Sequence, residues 1–127
     1  MIFPKLEIEK EELNPIQVLF SYEIPILFVC KNNSNELFLV YCCDIDELQY
    51  SIVQVEKKSL IQMLENQVPM DSLFINANKK WSANVELFDE VCTAQLIESF
   101  EDDALPKKNA VYGKCDLIGL ITALSNF

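Results

Sequence analysis

Two β-prone runs, Ile26 to Lys31 and Glu36 to Cys43, flank the stretch Asn32-Asn33-Ser34-Asn35. Asparagine tolerates left-handed backbone angles and hydrogen-bonds to its own turn, so this arrangement predicts a β-hairpin. Asp44 to Glu47 is a second polar turn, and Leu48 to Val55 returns as strand. Three consecutive antiparallel strands make a meander, and most of the chain must then pair with it or cover it.

Upstream, Leu6-Glu7-Ile8-Glu9 alternates apolar and acidic, as a short edge strand does. Asn14-Pro15 marks a turn, Ile16 to Tyr22 suits a strand, and Pro25 predicts a kink or bulge before Ile26. Downstream, Ser59 is a candidate cap for a helix with Leu60, Ile61, Met63 and Leu64 on its apolar face. Pro69 ends it, and Asp71 or Ser72 starts a short second helical turn. Lys79-Lys80-Trp81 opens a strand reaching about Phe88. Asp89 to Phe100 fits helix or extended chain, and Asp116 to Phe127 has helical spacing of Leu117, Leu120, Ile121 and Leu124. The expected fold is α+β: an antiparallel sheet, the meander plus one or two further strands, with helices packed on one face. One domain spanning residues 1–127 is expected, because such a length buries roughly two thirds of its unfolded surface.

The segment Val18 to Phe28 reads as an apolar run, then Tyr22, an acidic step, Pro25, and an apolar group ending in phenylalanine. With Asn32 to Asn35, the strand Leu37-Phe38-Leu39-Val40 and the leucine-bearing stretch Ser59 to Asn66, it resembles a family of small uncharacterised bacterial domains. The resemblance covers about residues 16–81, and Ile24 stands where that pattern has glycine. It implies a kinked hairpin and a bacterial or phage origin, and it implies no activity.

Composition narrows the chemistry. The chain has no histidine, its ten basic residues are all lysine, and 20 acidic residues leave a net charge of −10. Histidine is the side chain whose unperturbed pKa lies near neutrality. Arginine is the planar clamp for phosphate and carboxylate. Such a charge repels nucleic acid and anionic membranes and favours a basic protein surface. Ile24 to Cys30 is the longest clean apolar run, well short of the roughly 20 residues of a membrane span. Met1 to Lys10 lacks the pattern of a secretion signal, so a cytoplasmic location is expected.

Five cysteines, without a C-x-x-C pair, suit a reducing compartment and predict no structural zinc. Cys115, beside Lys114, is the best candidate thiol nucleophile. Asp44-x-Asp46-Glu47 lacks the glycine and distal glutamate of a calcium loop and predicts a solvated turn. Glu7, Glu9 and Glu11 on one strand would form a row of carboxylates about 7 Å apart, a shape able to imitate a nucleic-acid backbone. No glycine-rich phosphate loop is present. No catalytic residue, metal or cofactor is expected.

The functional expectation is a non-enzymatic protein-interaction domain, an accessory, immunity or inhibitor protein that binds a more basic partner. Its expected contacts are Tyr22, Trp81 and the acidic stretch Glu98, Glu101, Asp102 and Asp103. The alternatives are a nucleic-acid-mimicking inhibitor and a metal- or thiol-dependent enzyme.

Overall fold

A computed structural model describes residues 2–108 and residue 110. Among them are nine strands and two short helices, so the protein is mostly antiparallel sheet. The strands are β1 (Lys5–Ile8), β2 (Glu11–Glu12), β3 (Asn14–Tyr22), β4 (Ile24–Lys31), β5 (Leu37–Asp44), β6 (Gln49–Val55), β7 (Lys80–Asn84), β8 (Val91–Thr93) and β9 (Gln95–Ile97). The helices α1 (Lys57–Leu64) and α2 (Met70–Ile75) lie between β6 and β7.

The sheets are larger than the sequence suggests. A six-stranded sheet has the order β3-β4-β5-β6-β7-β9, and a three-stranded sheet has the order β2-β1-β8. Two extended stretches belong to both. β2 passes into β3 through Leu13, whose N–H donates to the Leu6 carbonyl (2.8 Å), and β8 passes into β9 through Ala94, whose N–H donates to the Glu7 carbonyl (2.9 Å). β1 pairs antiparallel with β2 and parallel with β8. Followed from strand to strand, the pairings return to their start, so the two sheets close on each other as a small barrel-like ring.

Period-two alternation decides what fills the ring. Ile26, Phe28 and Cys30 of β4, Phe38, Val40 and Cys42 of β5, and Tyr50 and Ile52 of β6 join one buried cluster with Leu6, Ile8, Trp81 and Ala83. The intervening residues Leu27, Val29, Leu39 and Val53 point the opposite way, as alternate strand residues must, into a second cluster. Leu60, Met63 and Leu64 of α1 and Leu73 and Phe74 of α2 belong to that second cluster. Segregation of the apolar residues into two clusters explains why β4 and β5 are near-continuous apolar runs, with Lys31 and Asp44 at their ends.

Several local expectations need correction. Helix α1 starts at Lys57 rather than after a Ser59 cap, and its N-cap Glu56 makes no side-chain capping bond. The stretch Asp89 to Phe100, open between helix and extended chain, holds the paired strands Val91–Thr93 and Gln95–Ile97. The strand opening at Lys80 stops at Asn84, where the Val85 N–H turns to the Leu48 carbonyl (2.9 Å). The carboxylate row does not form. β1 ends at Ile8, and Glu9 and Lys10 take positive φ (52° and 69°) in a tight turn that sends Glu11 back on the neighbouring strand. The expected C-terminal helix and Cys115 lie outside the described residues.

Candidate functional site

The β3–β4 hairpin turns within one residue, Glu23 (φ 62°), leaving Tyr22 opposite Ile24 and Ser21 opposite Pro25. β3 slips register three times along its length, between Pro15 and Gln17, between Val18 and Phe20, and between Phe20 and Ser21. Bulges bend an edge strand and re-aim its side chains. Here they accompany two aromatics held out in solvent: Phe20 is 56% exposed and Tyr22 67% exposed. Pro25 is buried as the second residue of β4, a position before the pairing with β5 begins, so its missing N–H leaves no gap in that ladder.

Phe20 also lines a groove of about 350 Å³ with Ile26, Leu27, Tyr41, Met70 and Pro106, and Lys107 is its one charged side chain. The Met70 N–H donates to the Ala110 carbonyl (2.9 Å), which ties the start of α2 to the chain leaving this groove. An apolar groove lined by the exposed Phe20 and the half-buried Tyr41 matches the central anatomy of protein-binding surfaces, where aromatic anchors dominate.

Trp81 does not belong to such a surface. It is 3% exposed inside the ring and meets Phe38 edge-on at 5.8 Å between ring centroids. Its place opposite Ile52 on β6 turns the indole inward. Glu98, Glu101, Asp102 and Asp103 are exposed, around a short 3-10 turn at Asp102–Ala104. That turn is pinned to the sheet by the Ser51 hydroxyl, which donates to the Ala104 carbonyl (2.6 Å). Asp103 borders a cleft with Cys43, Asp44 and Glu47, so negative charge gathers at the β5–β6 turn. The Asp44 carboxylate accepts from the N–H groups of Asp46 (3.0 Å) and Glu47 (3.1 Å), closing its own turn. Sequence reading named Tyr22, which is exposed, and did not name Phe20, Met70 and Pro106, which line the groove. The pair Phe20-x-Tyr22 just before a proline-bearing strand was the available signal.

Cys30, Cys42 and Tyr50 pack in the core, and Cys92 packs partly against it. Burial pushes the Cys30, Cys42, Cys43 and Cys92 thiols up, so they stay protonated at neutral pH. Burial also raises Tyr50, whose hydroxyl has no hydrogen-bond partner among the described residues, the nearby Cys42 thiol donating to the Asp44 carbonyl (3.6 Å). No cluster of three or more potential metal ligands occurs among the described residues. None of their helices is long and apolar enough to cross a membrane.

No family model, no curated protein and no solved structure matches the chain.

Proposed function

We propose that this chain is a non-enzymatic protein-interaction domain, a cytoplasmic accessory, immunity or inhibitor protein of a bacterial or phage system, and that it binds a more basic protein. The observation that carries the reading is the pair Phe20 and Tyr22, exposed on a bulged hairpin beside an apolar groove. Contiguous exposed apolar surface marks interaction sites, whereas scattered apolar residues do not. In this reading α1 and α2 form a layer on one face of the large sheet, in keeping with the cluster they share with it, and the hairpin end stays open to a partner. The net charge of −10 supports a basic partner, since opposite charge speeds encounter and excludes wrong partners. The exposed Glu98, Glu101, Asp102 and Asp103 provide part of that field.

Imitation of a nucleic acid loses its main support, because Glu9 sits in a turn and Glu11 on another strand. Among the described cysteines, burial favours the protonated thiol, which lends thiol catalysis at those positions little support.

The test is capture from an extract of the source cells, with wild type and with Phe20→Ala/Tyr22→Ala as bait. The reading expects one basic protein, retained at low ionic strength, released as salt rises, and absent from the double variant. Equal capture by both baits would remove the hairpin from the interface, and salt-insensitive capture would remove the electrostatic part.

A further inference from the structure

A second concave surface lies away from the hairpin, between the end of β6, α1, α2 and the chain that follows α2. Its cleft of about 320 Å³ is bordered by Gln54, Ser59, Gln62, Ser72, Asn76 and Asn78. Val55, Val68 and Leu73 supply its apolar part, and Glu56 is its one charged residue. In an otherwise strongly charged chain, four carboxamides and two hydroxyls converge from several separate elements.

The helices fix this composition. α1 buries Leu60, Met63 and Leu64 in the core, which leaves Ser59 and Gln62, three residues apart, as neighbours on another face. α2 buries Leu73 and Phe74 and is capped by Asn76, so Ser72 and Asn76 lie one turn apart beside them. The hydrogen-bonding capacity at the cleft is largely uncommitted. Gln54 donates through Nε2 to Glu36 (2.8 Å) and keeps its carbonyl oxygen as an acceptor. The Ser72 hydroxyl donates to the Pro69 carbonyl (2.6 Å) and can still accept. The side chains of Ser59, Gln62, Asn76 and Asn78 make no hydrogen bond among the described residues.

A carboxamide presents a donor and an acceptor side by side, the same pair that a peptide group presents, and a hydroxyl supplies both roles. A lining of this kind, with a small apolar floor, suits a ligand that is uncharged and rich in alternating donors and acceptors. A sugar would also need a ring face to pack on, and no aromatic residue lines the cleft. We propose that this cleft binds a short, extended, uncharged stretch of polypeptide through its main-chain amides, with small side chains resting on Val55, Val68 and Leu73. A second cleft of about 530 Å³ shares Gln54 and Val55 but is lined also by Lys31, Glu36 and Lys57, so the uncharged stretch is assigned to the first cleft alone. This site is separate from the Phe20–Tyr22 hairpin and stands without it.

The experiment pans a phage library of short random peptides on the immobilised full chain and measures each recovered peptide by fluorescence anisotropy. Wild type is compared with Gln62→Ala/Asn76→Ala and with Phe20→Ala/Tyr22→Ala, each first checked by circular dichroism for native fold. The expected result is uncharged peptides whose affinity falls about tenfold or more in the Gln62/Asn76 variant, about 1.4 kcal/mol per tenfold, and is unchanged in the Phe20/Tyr22 variant. Peptides weakened only by the Phe20/Tyr22 variant would overturn the cleft and support the hairpin surface instead. Recovery of no peptide, or saturable shifts of the Gln62 and Asn76 side-chain amide resonances with maltotriose but not with peptide, would also overturn it.

Discussion

The interior of the strand ring and the end of the β3–β4 hairpin are built from the same residue types and put them to opposite use. Inside, Phe28 meets Tyr50 and Phe38 meets Trp81 edge-on, with every ring buried. At the hairpin, Phe20 and Tyr22 stand mostly in solvent. The two turns bordering β4 repeat the contrast. Asn32, 5% exposed, accepts through Oδ1 from the N–H groups of Ser34 (3.0 Å) and Glu36 (2.9 Å) and donates through Nδ2 to the Glu36 carboxylate (2.9 Å). Glu23, in the other turn, has no side-chain hydrogen bond among the described residues. One region directs its side chains into closing the fold, and the other leaves them in solvent.

The contrast breaks most visibly at Trp81. Trp81→Ala should cost about 3–5 kcal/mol in urea unfolding, the usual toll of emptying a large core site. A change below 1 kcal/mol would put the indole back on the surface. Next comes Asn32→Ala, which should lower stability by about 1–2 kcal/mol, since it removes bonds to two backbone donors and to Glu36.

Titration sharpens the same turn. Hydrogen bonds from Asn32 and then Gln54 hold the Glu36 carboxyl below its ordinary value. A group lowered in the fold contributes stability that is complete above its unfolded pKa, about 4.3, and is lost as pH falls through the folded value. Carboxyl NMR should therefore find Glu36 titrating below the ordinary glutamate value, and Asn32→Ala should bring it back towards that value. The buried thiols act at the other end of the scale. Their folded pKa values are raised, so their contribution is intact below about pH 8.5 and declines as pH rises towards the folded values. Unfolding curves should show reduced stability in alkali and little thiol alkylation of Cys30 and Cys42 at neutral pH. The smallest expected effect is at the hairpin itself. Phe20→Ala and Tyr22→Ala should each change stability by less than about 0.5 kcal/mol, as exposed sites do.

Legibility in the sequence follows the range of the interaction that decides each feature. Asn32 to Asn35 announces its turn because asparagine chemistry is local, and the observed β4–β5 pairing follows it. Glu9-Lys10 makes an equally tight turn without glycine or asparagine, because β1 and β2 impose it from outside. Ala94 switches a strand between two sheets, which no short window of sequence records. Strand alternation says that Trp81 and Ser82 face opposite ways, but not which of those ways is inside the ring. Phe20 and Tyr22 lie on the terminal strand of the six-stranded sheet, where register slips re-aim side chains, and both stay exposed among the described residues.

The most direct measurement places a photo-crosslinking phenylalanine analogue at position 22, and separately at position 96. Leu96 is as exposed as Tyr22, at 67%, but lies on the opposite edge of the six-stranded sheet. In source cells, the analogue at position 22 should trap one basic protein that the analogue at position 96 does not. The same product from both positions, or from position 96 alone, would contradict the assignment of the hairpin as the binding surface.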